Sequence, residues 1–392
     1  MIQMSLDSIK NGMRVGKPIF TEDGRMLVGK GLILNEHFIK SLRDRGIASI
    51  FIYDKDTEDI IPRENIPDIV RGATIKDLKG LFGDLQDTIS KEVKVDSMEA
   101  ITEAVSSEQF IKTFGKNPAF KKLQEDVDTI VDDLIKGEMT LGLSSLKTYD
   151  NYTFQHSIDV AIVSIMIGRK AGLPMQRLRE LGIGCMLHDI GKIFIPEEIT
   201  NKPGKLTDKE YDAMKMHPDI GYELSKGVAS IGILPPHVAF QHHEKQDGTG
   251  YPRGLTGNNR LNISKEPRTI HLYGAIAAVA DIYDALGSDR PYRKAMPPEK
   301  VITIMKEMSE EHLNKSVLRI FFSITPVYPV GTVVRIKTGQ YLNHLAIVSE
   351  LNKENTERPI IRVVYNQVKK RIPPFDINLL IDEEIEVASM IL

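Results

Sequence analysis

Apolar and polar positions divide the chain into four textures. In the first of them, Pro18-Ile19-Phe20 and Met26-Leu27-Val28 flank Asp23-Gly24, the pattern of two strands joined by a tight turn. Phe38, Ile39 and Leu42 share one face of a short helix between Asn35 and Arg45, and Ile47–Tyr53 is dense in strand formers. Polar, proline-containing residues over 54–65 predict a linker, and residues 66–140 carry helical periodicity, as in Ile111–Ile135, without a clear motif. From about Tyr149 the segments Ser157–Ala171, Met175–Met186, Asp208–Lys226 and Tyr273–Leu286 have helix length and apolar periodicity, with Gly- and Pro-containing loops between them. Leu206-Thr207-Asp208 followed by Glu210 predicts a helix start, with acids at the positive end of the dipole. Beyond Pro326, Thr332–Ile336, Leu345–Leu351 and Ile360–Tyr365 alternate as strands. The pattern predicts a mainly α protein. A small α/β regulatory unit (1–60), a linker with a helical segment (61–144), a helical-bundle core (145–325) and a short β-rich appendage (326–392) follow one another.

Composition adds exclusions. Apolar residues make up 41% and charged residues 27% of the 392 positions, an ordinary globular balance that argues against disorder or a fibrous repeat. A net charge of -3 supplies no global positive field for polymeric nucleic acid. Apolar runs are interrupted, Tyr273–Leu286 by Asp281 and Asp284, Leu181–Ile195 by His188, Asp189 and Lys192, so no membrane span is expected. No basic-then-apolar signal peptide opens the chain, and a cytoplasmic location is expected. The lone Cys185 excludes an internal disulfide and a cysteine-built zinc site.

The candidate chemistry lies in the core. Histidines 156, 188, 217, 237, 242, 243 and 271 all fall between positions 156 and 271. His188-Asp189 reads as mid-helix in an apolar context, and Asp281 follows Ala277-Ala278-Val279-Ala280. Buried carboxylates and imidazoles are costly unless they pair or ligate a metal. Facing helices of a bundle build metal sites from such side chains. Imidazole plus carboxylate without thiolate suits iron, manganese, zinc or cobalt. A carboxylate can bridge two ions roughly 3.5–4 Å apart, an arrangement that hydrolyses phosphate esters. Lys192, one helical turn after His188, would set a positive charge beside a phosphate oxygen. This spacing points to a metal-dependent phosphohydrolase.

An ordered set of motifs narrows the class. His188-Asp189-Ile190-Gly191-Lys192, then His217, then His242-His243-Glu244 with Asp247-Gly248-Thr249-Gly250-Tyr251-Pro252, then Ala280-Asp281-Ile282-Tyr283-Asp284 with Asp289-Arg290-Pro291-Tyr292-Arg293 resembles the HD-GYP branch of the HD phosphohydrolases. The likeness covers about residues 145–320. It implies an HD-type helical core that hydrolyses the bacterial messenger cyclic di-GMP to pGpG, GMP or both. Two divalent ions, iron or manganese, would be the cofactors, with a water or hydroxide bridging them. His156, His188, Asp189, His217, His242, His243 and Asp281 match metal ligands, with Asp189 the bridge. Asp189 and Lys192 are the catalytic pair, Lys192 meeting the scissile phosphate. Lys192, Tyr251, Arg290, Arg293 and Asp284 form the substrate-binding set, although the two arginines also suit surface pairing with Asp284 and Asp289.

Other positions read more plainly. His237 and His271 match no ligand position, Cys185 is a buried hydrophobe, and Asp247 is a turn former. Gly250-Tyr251-Pro252 alone is a turn, but beside His242-His243 it is a functional loop and a candidate contact for diguanylate cyclase (GGDEF) domains. A homodimer is compatible with the pattern. Two departures from the family stand out. Tyr152 occupies the place of a glutamate that supplies a third metal in some members, which favours two metals and accumulation of pGpG. Extra residues around Asn258–Arg268 adjoin the Gly250-Tyr251-Pro252 loop and bear on substrate access. Cyclic GMP-AMP or pGpG as preferred substrate, and a non-catalytic cyclic dinucleotide sensor or scaffold, are the alternatives. The opening segment, with Gly12-Met13-Arg14-Val15 and Gly29-Lys30-Gly31, is similar to an N-terminal domain of some HD-GYP proteins and has no receiver-type acidic pocket.

Overall fold

A computed structural model of the chain describes residues 1–20, 26–45, 47, 49–62, 64–92, 98–108, 110–111, 115–142, 152–262, 266–288 and 295–390. Its centre is helix α5 (Tyr152–Lys170), buried along residues 155–168 because apolar side chains occupy nearly every face. Helices α6 (Met175–Met186) and α11 (Leu272–Gly287) pack on it. In α11 the run Leu272–Ala280 is fully enclosed, its small alanines letting neighbouring helices approach. Helix α4 (Ala119–Lys136) turns Phe120, Leu123, Val127, Ile130, Val131 and Leu134 inward and joins α2 (Asp68–Glu92) to the bundle. Arg71 of α2 reaches Asp159, three residues beyond His156, at 2.7 Å in a largely buried ion pair.

Three helix boundaries differ from the periodicity. The expected helix Ile111–Ile135 is not continuous: Ile111 is helical, but the helix breaks over 115–118 and α4 starts at Ala119, after Asn117-Pro118. The expected single helix Asp208–Lys226 is two helices, α8 (Asp208–Met214) and α9 (His217–Lys226). Pro218 lies in the first turn of α9, where its missing N–H costs nothing, but it could not have sat inside a continuous helix. His188-Asp189 is not mid-helix either. Helix α6 stops at Met186, and the two residues form the turn before a 3-10 helix, Ile190–Phe194. The tight approach of α9 explains the break: a Cβ at Gly191 would lie 2.0 Å from the His217 carbonyl oxygen. The start of α8 is as expected, with Thr207 and Glu210 forming a reciprocal capping box.

Two β-containing regions flank the bundle. At the N-terminal side, β1 (Ile2–Ser5) pairs antiparallel with β4 (Ser49–Ile52), and β2 (Ile19–Phe20) with β3 (Met26–Val28). Helix α1 (Glu36–Asp44) is capped by Asn35, whose Oδ1 accepts from the Phe38 N–H at 2.9 Å. The Asp23-Gly24 turn lies outside the described residues. At the C-terminal side, β5 (Val333–Ile336), β6 (Leu345–Glu350), β7 (Ile360–Tyr365), β8 (Arg371–Asn378) and β9 (Val387–Ser389) form one sheet in the order β8-β7-β6-β5-β9. Strand β8 carries Pro373-Pro374, which an edge strand tolerates. The two regions meet. Ile2 and Ile60 pack against Val333, Ile347 and Val364, Arg362 binds Asp59 at 2.6 Å, and Arg371 binds Asp54 at 2.6 Å. Part of the polar stretch expected to be a linker is therefore one side of an apolar seam with a charged margin. Among the described residues no helix is long and apolar enough to cross a membrane.

Candidate metal centre

Five segments converge on one point inside the bundle. Helix α5 supplies His156, the turn after α6 supplies His188 and Asp189, and α9 begins with His217. His242 and His243 directly follow α10 (Pro236–Gln241), and α11 carries Asp281. Ligand-type atoms of His217, His242 and His243 lie within 4.8 Å of one another, as do those of His156, His188 and Asp281, and those of His188, Asp189 and His242. Asp189 stands between the first two groups. Its Oδ2 is 3.4 Å from His188 Nε2 and 3.9 Å from His156 Nε2. Its Oδ1 is 3.4 Å from His217 Nε2 and 3.8 Å from His242 Nε2. Each oxygen faces a different histidine set.

The outer ring nitrogens explain why the inner ones point that way. His188 Nδ1 lies 2.7 Å from the Cys185 carbonyl, His217 Nδ1 2.6 Å from the Met214 carbonyl, and His242 Nδ1 2.8 Å from the Ala239 carbonyl. A carbonyl only accepts, so each Nδ1 carries the proton and each Nε2 offers a lone pair to the centre. His156 is held by a carboxylate instead, Asp284 Oδ2 at 2.7 Å from Nδ1, while its Nε2 is 3.2 Å from Asp281 Oδ1. His188 Nε2 and Asp189 Oδ1 are buried without a hydrogen-bond partner. Such orphans are costly in an apolar interior. The donor set, five imidazoles and two carboxylates with no thiolate, fits divalent metal ions.

Four of the five imidazoles and both carboxylates have ligand-competent protonation states, while His156 is held protonated between two carboxylates. Burial lowers the pKa of His217 to about 3 and of His242 to about 4, and brings His188 and His243 down as well, so these rings are neutral. Burial pushes the Asp189 carboxyl up, but His188, Lys192, His217 and His156 outweigh it and hold it well below the usual carboxylate range. Asp281 follows the same balance through its bond to His156. For His156 burial pulls downward, and the bonds to Asp281 and Asp284 win, raising it to about 9.

The rim is built from loops. Lys192, on the 3-10 turn, places Nζ 2.6 Å from Asp189 Oδ2 and keeps a third of its side chain exposed. Tyr251 stacks on His243, with centroids 4.7 Å apart and planes at 23°. Gly250 passes so close to the preceding strand of chain that a Cβ there would lie 2.3 Å from the Lys245 nitrogen. Glu244 holds this loop, its two oxygens accepting the Arg253 and Leu255 N–H groups at 2.8 Å each. Asp247 accepts the Thr249 N–H at 2.8 Å, the turn role expected of it. Among the extra residues after Pro252, Asn259 accepts the Lys315 N–H at the start of α13 (Lys315–Ile324) and donates to the Glu310 carbonyl.

Not every sequence-predicted residue reaches the centre. Asp284, grouped by sequence with substrate contacts, is 6% exposed and sits behind His156, an orienting position rather than an open one. His271 caps α11 and His237 lies against Tyr222, both away from the ligand groups. Arg290 and Arg293 lie outside the described residues, as does the side chain of Tyr152. Glu244 and Asp284 are the support residues that sequence reasoning left without these roles.

A helical core that gathers imidazoles and carboxylates from separate helices around a central aspartate defines the HD class, and residues 143–317 match the HD domain family. A cyclic di-GMP phosphodiesterase of Pseudomonas aeruginosa is 36% identical over 233 residues, 59% of this chain and 52% of that protein. A cyclic di-GMP phosphodiesterase of Thermotoga maritima is 35% identical over 214 residues, 53% of this chain and 55% of that protein. A 3'3'-cGAMP-specific phosphodiesterase of Vibrio cholerae is 38% identical over 156 residues, 40% of this chain and 32% of that protein. With their motifs in order, residues 143–317 form an HD domain of the HD-GYP type. The chain spans about half the length of the first two curated relatives.

Proposed function

We propose that this chain hydrolyses a phosphodiester bond of cyclic di-GMP at two divalent metal ions, iron or manganese, and releases pGpG ahead of GMP. The observation that carries the reading is Asp189, with each carboxylate oxygen turned to a different histidine set. His156, His188, Asp189 and Asp281 would hold one ion, and Asp189, His217, His242 and His243 the other. Ions so placed lower the pKa of water and neutralise charge developing on a phosphate. The protein's own part is orientation. Backbone carbonyls fix the inner lone pairs of His188, His217 and His242, the surrounding imidazoles and Lys192 keep Asp189 ionised against the cost of burial, and the Lys192 ammonium beside it would meet a phosphate oxygen. Tyr251 and, by motif, Arg290 and Arg293 serve the substrate on the open side. Preference for cyclic GMP-AMP is the second reading, favoured by the likeness to the Vibrio cholerae enzyme.

Metal analysis and product chromatography with cyclic di-GMP, cyclic GMP-AMP and pGpG test the proposal. Asp189→Ala should lose both metal and turnover. Lys192→Ala should keep its metal and lose about 10²–10³ in kcat, the usual cost of one preorganised charge donor. Full metal content and activity in Asp189→Ala refutes the bridging role. A metal-loaded wild type that binds cyclic di-GMP without cleaving it makes the protein a sensor.

A further inference from the structure

Helix α8 (Asp208–Met214) buries none of its side chains completely, so its place is not explained by the apolar core. Polar contacts hold it: the Thr207–Glu210 capping box and both oxygens of Glu210 on Lys202 Nζ, at 2.8 and 2.6 Å. Its last residue, Met214, gives the carbonyl that orients His217. One turn earlier, Tyr211 is 46% exposed, a large aromatic ring left half in water. The ring is not randomly placed. Its centroid is 6.3 Å from that of Tyr251 at 80°, and Tyr251 in turn stacks on His243. Lys215 Nζ lies 5.1 Å from the Tyr211 centroid. A file of rings thus runs from the histidine cluster to the surface and ends on an exposed aromatic beside a cation.

We propose that Tyr211 is a substrate-binding residue, stacking on one purine base of a dinucleotide whose phosphate lies at the metal centre. Every base has a π-face, and an aromatic ring fixed to the metal-binding helix pair would hold it at a set distance from the phosphate. The neighbouring Lys215 ammonium is paired with the Asp212 carboxylate at 2.7 Å, and the second phosphate of such a ligand would share it. This inference rests on the proposed dinucleotide hydrolysis.

The test is steady-state kinetics of the metal-loaded full chain and of Tyr211→Ala and Tyr211→Phe with cyclic di-GMP, together with inhibition by inorganic phosphate, which has no base. Tyr211→Ala should raise KM about 5- to 150-fold, the range that one base–aromatic stack supplies, with kcat nearly unchanged. Tyr211→Phe should restore the wild-type KM, and the inhibition constant for phosphate should be the same in all three proteins. An active wild type with an unaltered KM in Tyr211→Ala overturns the stacking role and leaves the hydrolysis standing. Loss of bound metal or of phosphate affinity in Tyr211→Ala also overturns it, because the ring would then be a prop for His217. A metal-loaded wild type with no affinity for cyclic dinucleotides removes both proposals together.

Discussion

Replacing Asp284 separates two roles that its position in the motif leaves entangled. If it touches substrate, its loss raises KM and leaves the metals in place. The structure puts it on the far side of His156, with Oδ2 2.7 Å from Nδ1 and the residue 6% exposed. There it fixes the ring so that Nε2 faces the centre, and its charge makes the imidazole a stronger donor. Outer partners of this kind typically contribute about 10- to 100-fold in metal affinity or activity. At about 1.4 kcal/mol per factor of ten, the Asp284 contact contributes about 1.4–2.8 kcal/mol of metal binding. Asn keeps an oxygen that can accept from Nδ1, so Asp284→Asn should fall near the lower end, and Asp284→Ala near the upper. Metal dissociation constants from competition with a chelator, measured beside KM for cyclic di-GMP at saturating metal, give both numbers. Wild-type metal affinity in both variants, with only KM raised, would refute the reasoning and return Asp284 to the substrate.

Two further perturbations probe the scaffold. Gly191→Ala places a Cβ 2.0 Å from the His217 carbonyl oxygen and 2.8 Å from the Gly221 nitrogen, so α9 must retreat from the Asp189 turn. Overpacking of this kind costs about 1–3 kcal/mol, and urea unfolding together with metal content should both fall; wild-type values for both would contradict the close approach. Asp126 on α4 has its carboxyl pushed up to about 7, by desolvation first and by the Asp77 charge second. The folded state then keeps a proton that the unfolded chain releases near 3.8, so this group subtracts stability as pH rises through that interval. Asp126→Asn should therefore stabilise the protein more at pH 8 than at pH 5 in urea titrations, and an advantage that does not grow with pH counts against it.

Five of the seven clustered side chains announce themselves locally, and only the family likeness pointed to His156 and His217. A histidine–aspartate pair in an apolar run, two adjacent histidines and an aspartate among alanines are all expensive without a partner. The support was harder to see. Asp284 follows Asp281 by three residues, which on a helix shares a face, and that spacing was the available signal. Glu244 and Tyr211 have no such signal, since their roles depend on where Leu255 and Tyr251 arrive from other segments. Helix ends failed where apolar periodicity ran across a break: Met214, Met216 and Ile220 continue the stripe, and only Pro218 marks the turn. Strand β8 was missed because Pro373-Pro374 reads as a loop until a neighbour accepts it as an edge.

The seam between the two β regions has a consequence for the life of the chain before it is complete. Arg362 and Asp59 are 303 residues apart, so their union needs nearly the whole sequence to be present. Contacts of such separation form late, after local helices have already collapsed. During synthesis the faces of Ile2 and Ile60 must wait in water until Val333, Ile347 and Val364 have left the ribosome. A product that stops at the end of the helical core would carry that greasy strip permanently, and quality-control proteases and chaperones would recognise it as unfinished.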